Sequence, residues 1–459
     1  MAILEWLNER ALGALLPLLL LSTGLIYAVL LKGAPFLHPL RTLLLLKGKS
    51  REETRRSLYG LCMALSGTLG VGNISGVALA LVFGGAGAIF WMWISALLAM
   101  LLKYAEILLA LSYGREGRAV GAMGYMKAAF KGRLGFAMAA FFALLCVLLA
   151  FLLGGLLQAN AISECLSGYF GVKPLYTGLA LALLAALVIF GGEQRISRVT
   201  ARLIPLLTLS YLLLSLGLLL ANASAVPAAF GRIFASGFSG EAALGGGLGF
   251  LCNKGLRYGV ARGLLSNEAG CGTAPLAHAT AKTDPVRQGV MGMVEVFVDT
   301  LLLCTVTALV ILVAFPETPS ALGGALIAVM AYGRLAGEWA SVFVAVALVL
   351  FAYGTVICWA YYGEKGFSYL FGERAIYKRA YFALFCLTLF FGCFFSSALV
   401  WGVTDALLST MTLSNLLALL LLAPTVVKES RGGGLFGEKK KTRATAARLL
   451  SKGTKTPVS

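Results

Sequence analysis

The chain has 459 residues, of which 59% are apolar and 13% charged, and it carries a formal net charge of +18. A soluble domain needs about a quarter of its residues charged, so this composition, with a mean hydropathy of +0.88, excludes one and indicates a polytopic membrane protein. Nine cysteines, mostly inside apolar runs and without metal or disulfide spacing, point to neither zinc nor redox chemistry.

A hydrocarbon core of about 30 Å takes roughly 20 helical residues to cross. Eleven segments qualify: 12–31, 58–83, 88–111, 136–157, 175–190, 203–220, 242–258, 290–314, 340–362, 381–399 and 407–427. The first follows Glu5 and Glu9, where a cleavable signal would carry positive charge, so it is expected to stay as a helix. The second contains Ser66-Gly67-Thr68-Leu69-Gly70-Val71-Gly72-Asn73-Ile74-Ser75-Gly76, in which four glycines and four hydrogen-bonding side chains interrupt an apolar run. Unpaired amides cost several kcal/mol in hydrocarbon, so a helix loosened there must face protein or a watery cavity, and its freed groups become ligands. The seventh carries a second interruption, Gly245-Gly246-Gly247-Leu248-Gly249.

Setting the first segment aside leaves two sets of five, each opening on its interrupted segment. Paired interruptions point to an inverted-repeat transporter with its site at the bilayer midplane. The chain divides into 1–57 (extra helix and basic loop), 58–220 and 221–427 (the repeats), and 428–459, a basic tail expected to be disordered. With the N-terminus outside and the C-terminus cytoplasmic, the inner loops hold all of the 38 basic residues except Arg10, Lys173, Arg232 and Arg334. Those loops include 103–133 and 254–287. Anionic headgroups beside them account for the net charge without any nucleic acid.

The run Gly67 to Ala78, then Gly87-Ala88-Ile89-Phe90-Trp91-Met92-Trp93 and Lys103-Tyr104-Ala105-Glu106, resembles the first two core helices of the alanine/glycine:cation symporter family. Arg262 to Ala279, with Ser266-Asn267-Glu268-Ala269-Gly270 at its centre, resembles that family's most distinctive signature. Pro285 to Gly289, Phe297 to Thr300 and Trp359 to Glu364 match in order, so the resemblance runs from about residue 60 to 425. It implies an all-α integral membrane protein of leucine-transporter-like fold, with ten core helices in two inverted repeats of five plus an extra N-terminal helix. It also implies uptake of small neutral amino acids coupled to Na+, or less often to protons, by a protein that is no enzyme and needs no cofactor. A monomer in the cytoplasmic (inner) membrane is expected, with the amino acid, the cation and lipid as its partners.

The physics of the first break agrees with that chemistry. A helix N-terminus takes anions, so the amides of Gly70, Val71, Gly72 and Asn73 suit a substrate carboxylate, with the Asn73 side chain adding a bond. Gly72 and Gly76 equally have the spacing of a helix-packing motif. Gln158 and Asn160 either line the site or bridge helices. The second break is expected to offer carbonyls for the ammonium. In the resemblance, Gly247 and Leu251 replace a phenylalanine and a threonine, which implies a roomier side-chain pocket unless Phe250 refills it. For the cation, carbonyls near Gly67 and Thr68 and the Thr355 hydroxyl are the candidates. Asp299, four residues after Glu295, binds a cation, carries a proton or braces the loop after the sixth core helix. Ser266, Asn267 and Glu268 read as a cytoplasmic gating or structural loop, and His278 as an ordinary hydrogen-bonding residue. A channel would show rings of charge and an enzyme a nucleophile beside a base, and neither pattern is visible.

Overall fold

The computed structural model describes residues 13–48, 50–114, 120–238, 254–281, 283–317, 319, 322–395 and 397–436. Those residues are almost entirely helical, and seven helices among them are long and apolar enough to cross a membrane. Helix α1 (Gly13–Leu30) leads through two short helices, Ala34–Leu37 and Pro39–Leu45, to α2 (Arg51–Thr68). The Ser50 hydroxyl accepts the Glu53 amide at 3.1 Å, and Glu52 and Glu53 fill the first turn of α2, where carboxylates favour a helix start. At Thr68 the helix stops. A 3-10 turn, Val71–Asn73, follows before α3 (Ser75–Gly84) resumes the crossing. The expected first break is therefore present at its expected place.

Next come α4 (Gly87–Tyr113), α5 (Ala122–Phe130), α6 (Gly132–Phe170), α7 (Pro174–Ile189), α8 (Gly192–Ala221) and α9 (Val226–Gly237). Helix α6 runs past the expected 136–157 and contains a π-helical stretch, Ala150–Leu157. The short α5 and α9 were not read from the sequence, because they are too short to register as crossings. Lys103, assigned above to an inner loop, lies inside α4 and is fully buried.

A second interrupted helix lies beside the first, and the interruption expected at 245–249 falls outside the described residues. Residues 242–253 of the expected crossing, with Gly247, Phe250 and Leu251, lie outside the described residues. Residues 254–267, expected as the end of that crossing and the start of the inner loop, form α10 (Lys254–Asn267), which packs along α3 and α4. Its start meets the end of α3, where Phe83 and Tyr258 stack at 5.5 Å. Its end meets the start of α3, where a Cβ on Gly72 would stand 3.2 Å from Ser266 Cα. Helix α10 is thus antiparallel to α3. The chain then unwinds through Glu268, Gly270 and Gly272, all at positive φ, before α11 (Ala274–His278) and a 3-10 turn, Ala279–Ala281, continue beside α2. A Cβ on Gly60 of α2 would lie 3.6 Å from His278 Cα and 3.3 Å from Ala281 Cβ. Two broken helices therefore lie side by side with their gaps level. The sequence hid the second because Lys254, Arg257, Arg262 and Glu268 depress its hydropathy, and because Lys254 stands at the Gly84 end rather than with the basic residues near α2's start.

The chain continues as α12 (Pro285–Ala314), with a π-helical stretch at Phe297–Cys304, then α13 (Gly324–Ala336), α14 (Glu338–Phe371), α15 (Ala375–Gly392), α16 (Ser397–Leu421) and α17 (Ala423–Gly432). Helix α12 lies flush against α4, where a Cβ on Gly289 would meet the Tyr104 carbonyl oxygen at 2.9 Å. Helix α13, too short to have been expected as a crossing, begins against Ser75 at the start of α3 and packs along α3. The expected crossing at 407–427 ends earlier, at Leu421, with Pro424 inside the first turn of the next helix.

Candidate functional site

The two gaps enclose a small cavity of about 10 Å³, room for roughly one water molecule. Gly67, Thr68, Gly70, Val71 and Gly72 line it from the first break, Leu265 and Glu268 from the second, Gln158 from α6 and Thr355 from α14. Of the expected substrate and cation residues, Gly67, Thr68, Gly70, Val71, Gly72, Gln158 and Thr355 thus meet at one place. Gly247 and Phe250 lie outside the described residues. Gly70 has no room for a side chain, because a Cβ there would overlap the Thr355 hydroxyl and stand 3.0 Å from Gln158 Oε1.

Two break amides already have side-chain acceptors. Gly70 N–H donates to Asn73 Oδ1 at 3.1 Å, and Val71 N–H donates to Gln158 Oε1 at 3.3 Å. Gln158 is steadied by its own amide, which donates to the Leu153 carbonyl at 3.2 Å inside the π-helical stretch of α6. A π turn leaves carbonyls without their usual helical partners, so this irregularity positions the side chain. Thr355 Oγ1 donates to the Leu69 carbonyl at 3.2 Å, joining α14 to the loosened end of α2. Thr68 bonds back to the carbonyls of Ala64 and Leu65 at 3.3 and 3.4 Å. Asn160, the alternative bridge, donates to the Phe395 carbonyl at 2.7 Å and ties α6 to the turn after α15.

Asp299 is fully buried and collects three donors: Asn73 Nδ2 at 2.7 Å, Ser266 Oγ at 2.8 Å and Thr300 Oγ1 at 2.7 Å. Donors converging in this way satisfy a carboxylate as an anion, so of its three expected roles the geometry matches the brace rather than the cation ligand. It holds the first break against α10. The Asn73 side chain is spent on this brace and on Gly70, so its expected bond to substrate does not fit the arrangement.

Ser266, Asn267 and Glu268 are not in a peripheral loop. Ser266 faces Gly72, Asn267 donates to Thr300 Oγ1 at 3.0 Å, and Glu268 forms part of the cavity wall. Glu268 accepts from Trp359 Nε1 at 2.9 Å and from Thr273 Oγ1 at 2.7 Å. His278 is also more committed than a surface histidine. Its Nε2 lies 3.0 Å from Glu295 Oε2 and its Nδ1 lies 2.7 Å from Gln288 Nε2, while Lys103 Nζ reaches Glu295 Oε1 at 3.1 Å. Because Gln288 Nε2 can only donate, His278 Nδ1 accepts and its proton sits on Nε2.

Comparison with known proteins decides the family. The family model described as the sodium:alanine symporter family matches residues 1–446. The sodium/alanine symporter AgcS of Methanococcus maripaludis is 38% identical, over 97% of this chain and 99% of that protein. The chain belongs to the sodium:alanine symporter family. Another relative, "Probable sodium/glutamine symporter GlnT" of Bacillus subtilis, is 32% identical over 91% of this chain and 87% of its own length. Among solved structures, the manganese transporter of Eremococcus coleocola shares the fold, with a TM-score of 0.55 at 14% identity over 89% of this chain and 93% of that one. Members of the family are transporters rather than enzymes, and this chain is accordingly a multi-pass membrane transporter.

Within this transporter, sequence reasoning assigned no role to Lys103, Glu106, Trp359 or Asn415. All four are buried, and Lys103 and Glu106 lie one turn apart on α4. The available signal was a pair of ionisable residues at the edge of an apolar run, which inside a membrane marks function or pairing.

Proposed function

We propose that the chain couples the entry of Na+ to uptake of small neutral amino acids, alanine and glycine first, by alternating access. The observation that carries this reading is the pair of antiparallel helices interrupted at one level around an enclosed cavity. There, the carbonyl ends of α2 and α10 and the amide end of α3 converge. A zwitterion needs both kinds of group. Its carboxylate suits the amides of Val71 and Gly72, with Gln158 yielding the Val71 bond, and its ammonium suits the carbonyls at the end of α10 beside Glu268. The carbonyls of Gly67 and Thr68, left without helical partners where α2 stops, and the Thr355 hydroxyl suit a hard monovalent cation.

The architecture goes with this mechanism: an extra N-terminal helix, then residues 58–220 and 221–427 as inverted sets of five crossings, each with its own broken helix. The protein acts as a monomer in the cytoplasmic membrane, N-terminus outside. The cavity has room for only about one water molecule, so substrate entry requires it to widen and Gln158 to shift. Energetically one co-transported charge falling through 100 mV supplies about 2.3 kcal/mol, enough for roughly fifty-fold accumulation of a neutral solute.

The test is uptake of labelled alanine into proteoliposomes with sodium and proton gradients imposed separately, and with unlabelled glycine and glutamine as competitors. Uptake driven by the inward sodium gradient and blocked by glycine supports the reading. Uptake driven equally well by a proton gradient in sodium-free buffer overturns the choice of ion.

A further inference from the structure

Glu106 of α4 is completely buried, and its two oxygens are treated differently. Oε1 accepts the Gly272 amide at 2.8 Å and the Asn415 side-chain amide at 2.6 Å. Oε2, equally buried, has no hydrogen-bond partner among the described residues. The neighbouring polar groups are committed elsewhere. Asn415 accepts the Tyr125 hydroxyl at 2.5 Å and donates also to the Gly270 carbonyl at 2.8 Å, and Tyr27 of α1 donates to the Leu419 carbonyl at 2.7 Å. The charged and titratable groups facing Glu106 are Lys103 on its own helix, Tyr27 on α1, Tyr125 on α5 and Cys271 in the second break. Of these, only Lys103 is a cation, and its ammonium is bonded to Glu295.

A carboxylate spreads its charge over both oxygens, and leaving one bare in an apolar interior is strongly unfavourable. The neutral acid fits better, with a carbonyl oxygen that accepts both N–H groups and a hydroxyl that carries no net charge. Glu268 supplies the contrast within the same molecule, since both of its oxygens accept a donor.

We infer that Glu106 is a proton-binding site separate from the cavity between the two breaks, holding its proton on Oε2 while Oε1 joins α4 to Asn415 of α16 and to the Gly270–Gly272 turn. That turn belongs to the second break, so the bound proton and the shape of the break are linked. The inference does not depend on which solute is carried.

Infrared spectroscopy of the full chain in lipid nanodiscs tests it, because a protonated carboxyl has a carbonyl stretch that a carboxylate lacks. At neutral pH the wild-type protein is expected to show this band, and Glu106→Gln to lose it, while Glu268→Gln retains it. Asn415→Ala, which removes one bond from Oε1 and leaves the carboxyl in place, is expected to move the band to higher frequency, and it serves if Glu106→Gln does not fold. A band that persists in Glu106→Gln, or that stays in place in Asn415→Ala, overturns the assignment, as does its absence from the wild type.

Discussion

Gln158 sets its side-chain carbonyl on the Val71 amide, which is where the proposed function puts an oxygen of the substrate carboxylate. Gln158→Glu therefore places a fixed negative charge against the incoming carboxylate. A charged hydrogen bond lost there is worth about 1.5–3 kcal/mol, so KM for alanine is expected to rise roughly ten- to a hundredfold, and an unchanged KM in proteoliposome uptake counts against the role. Asp299→Asn keeps the size of the side chain but turns one acceptor into a donor facing Asn73, Ser266 or Thr300. At about 1–3 kcal/mol per unsatisfied buried group, the variant is expected to melt at a lower temperature than the parent and to transport poorly, which thermal unfolding in detergent and uptake would show together. At this scale Gln158, Asn73 and Thr355 were legible as polar residues in apolar runs. The partners of Asn73 were not, because its bonds go to Gly70 nearby and to Asp299 far along the chain.

Among the elements, the first break works only if α14 and α6 approach the unwound backbone closely, and Gly70 permits that approach. Gly70→Ala is expected to abolish uptake by pushing Thr355 and Gln158 away. Thr355→Ala in the same chain removes the overlap, so the double variant should recover thermal stability without recovering sodium-dependent uptake. A double variant no more stable than Gly70→Ala contradicts the packing explanation. The first broken helix was readable because its glycines sit in an otherwise apolar crossing. Charges on α10 gave the other broken helix the profile of a loop, although Lys254 and Arg262 belong to a helix packed on α3 and α4 and Glu268 to the break that follows it. Arg262 is held by Asp405 at 2.6 Å and lies over Trp401 at 4.7 Å, and such compensation from α16 is invisible in a local window.

For the whole molecule, the expected topology places Ser224, between α8 and α9, outside and Glu373, between α14 and α15, inside. Both residues are exposed. Ser224→Cys is expected to react with a membrane-impermeant thiol reagent added to intact cells, and Glu373→Cys only after the membrane is opened; the reverse pattern inverts the topology. Composition alone determined that this is a membrane-spanning helical protein, and the glycine-rich run at 67–76 marked where one crossing opens, since both depend on residues adjacent in sequence. Tertiary structure alone decided where the second crossing opens, that Ser266 and Glu268 stand beside the cavity, and which donors meet Asp299 and Glu106. The physical reason is that a charge is tolerable inside a membrane when partners surround it, and here those partners include residues far along the chain, Asn73 for Asp299 and Asn415 for Glu106.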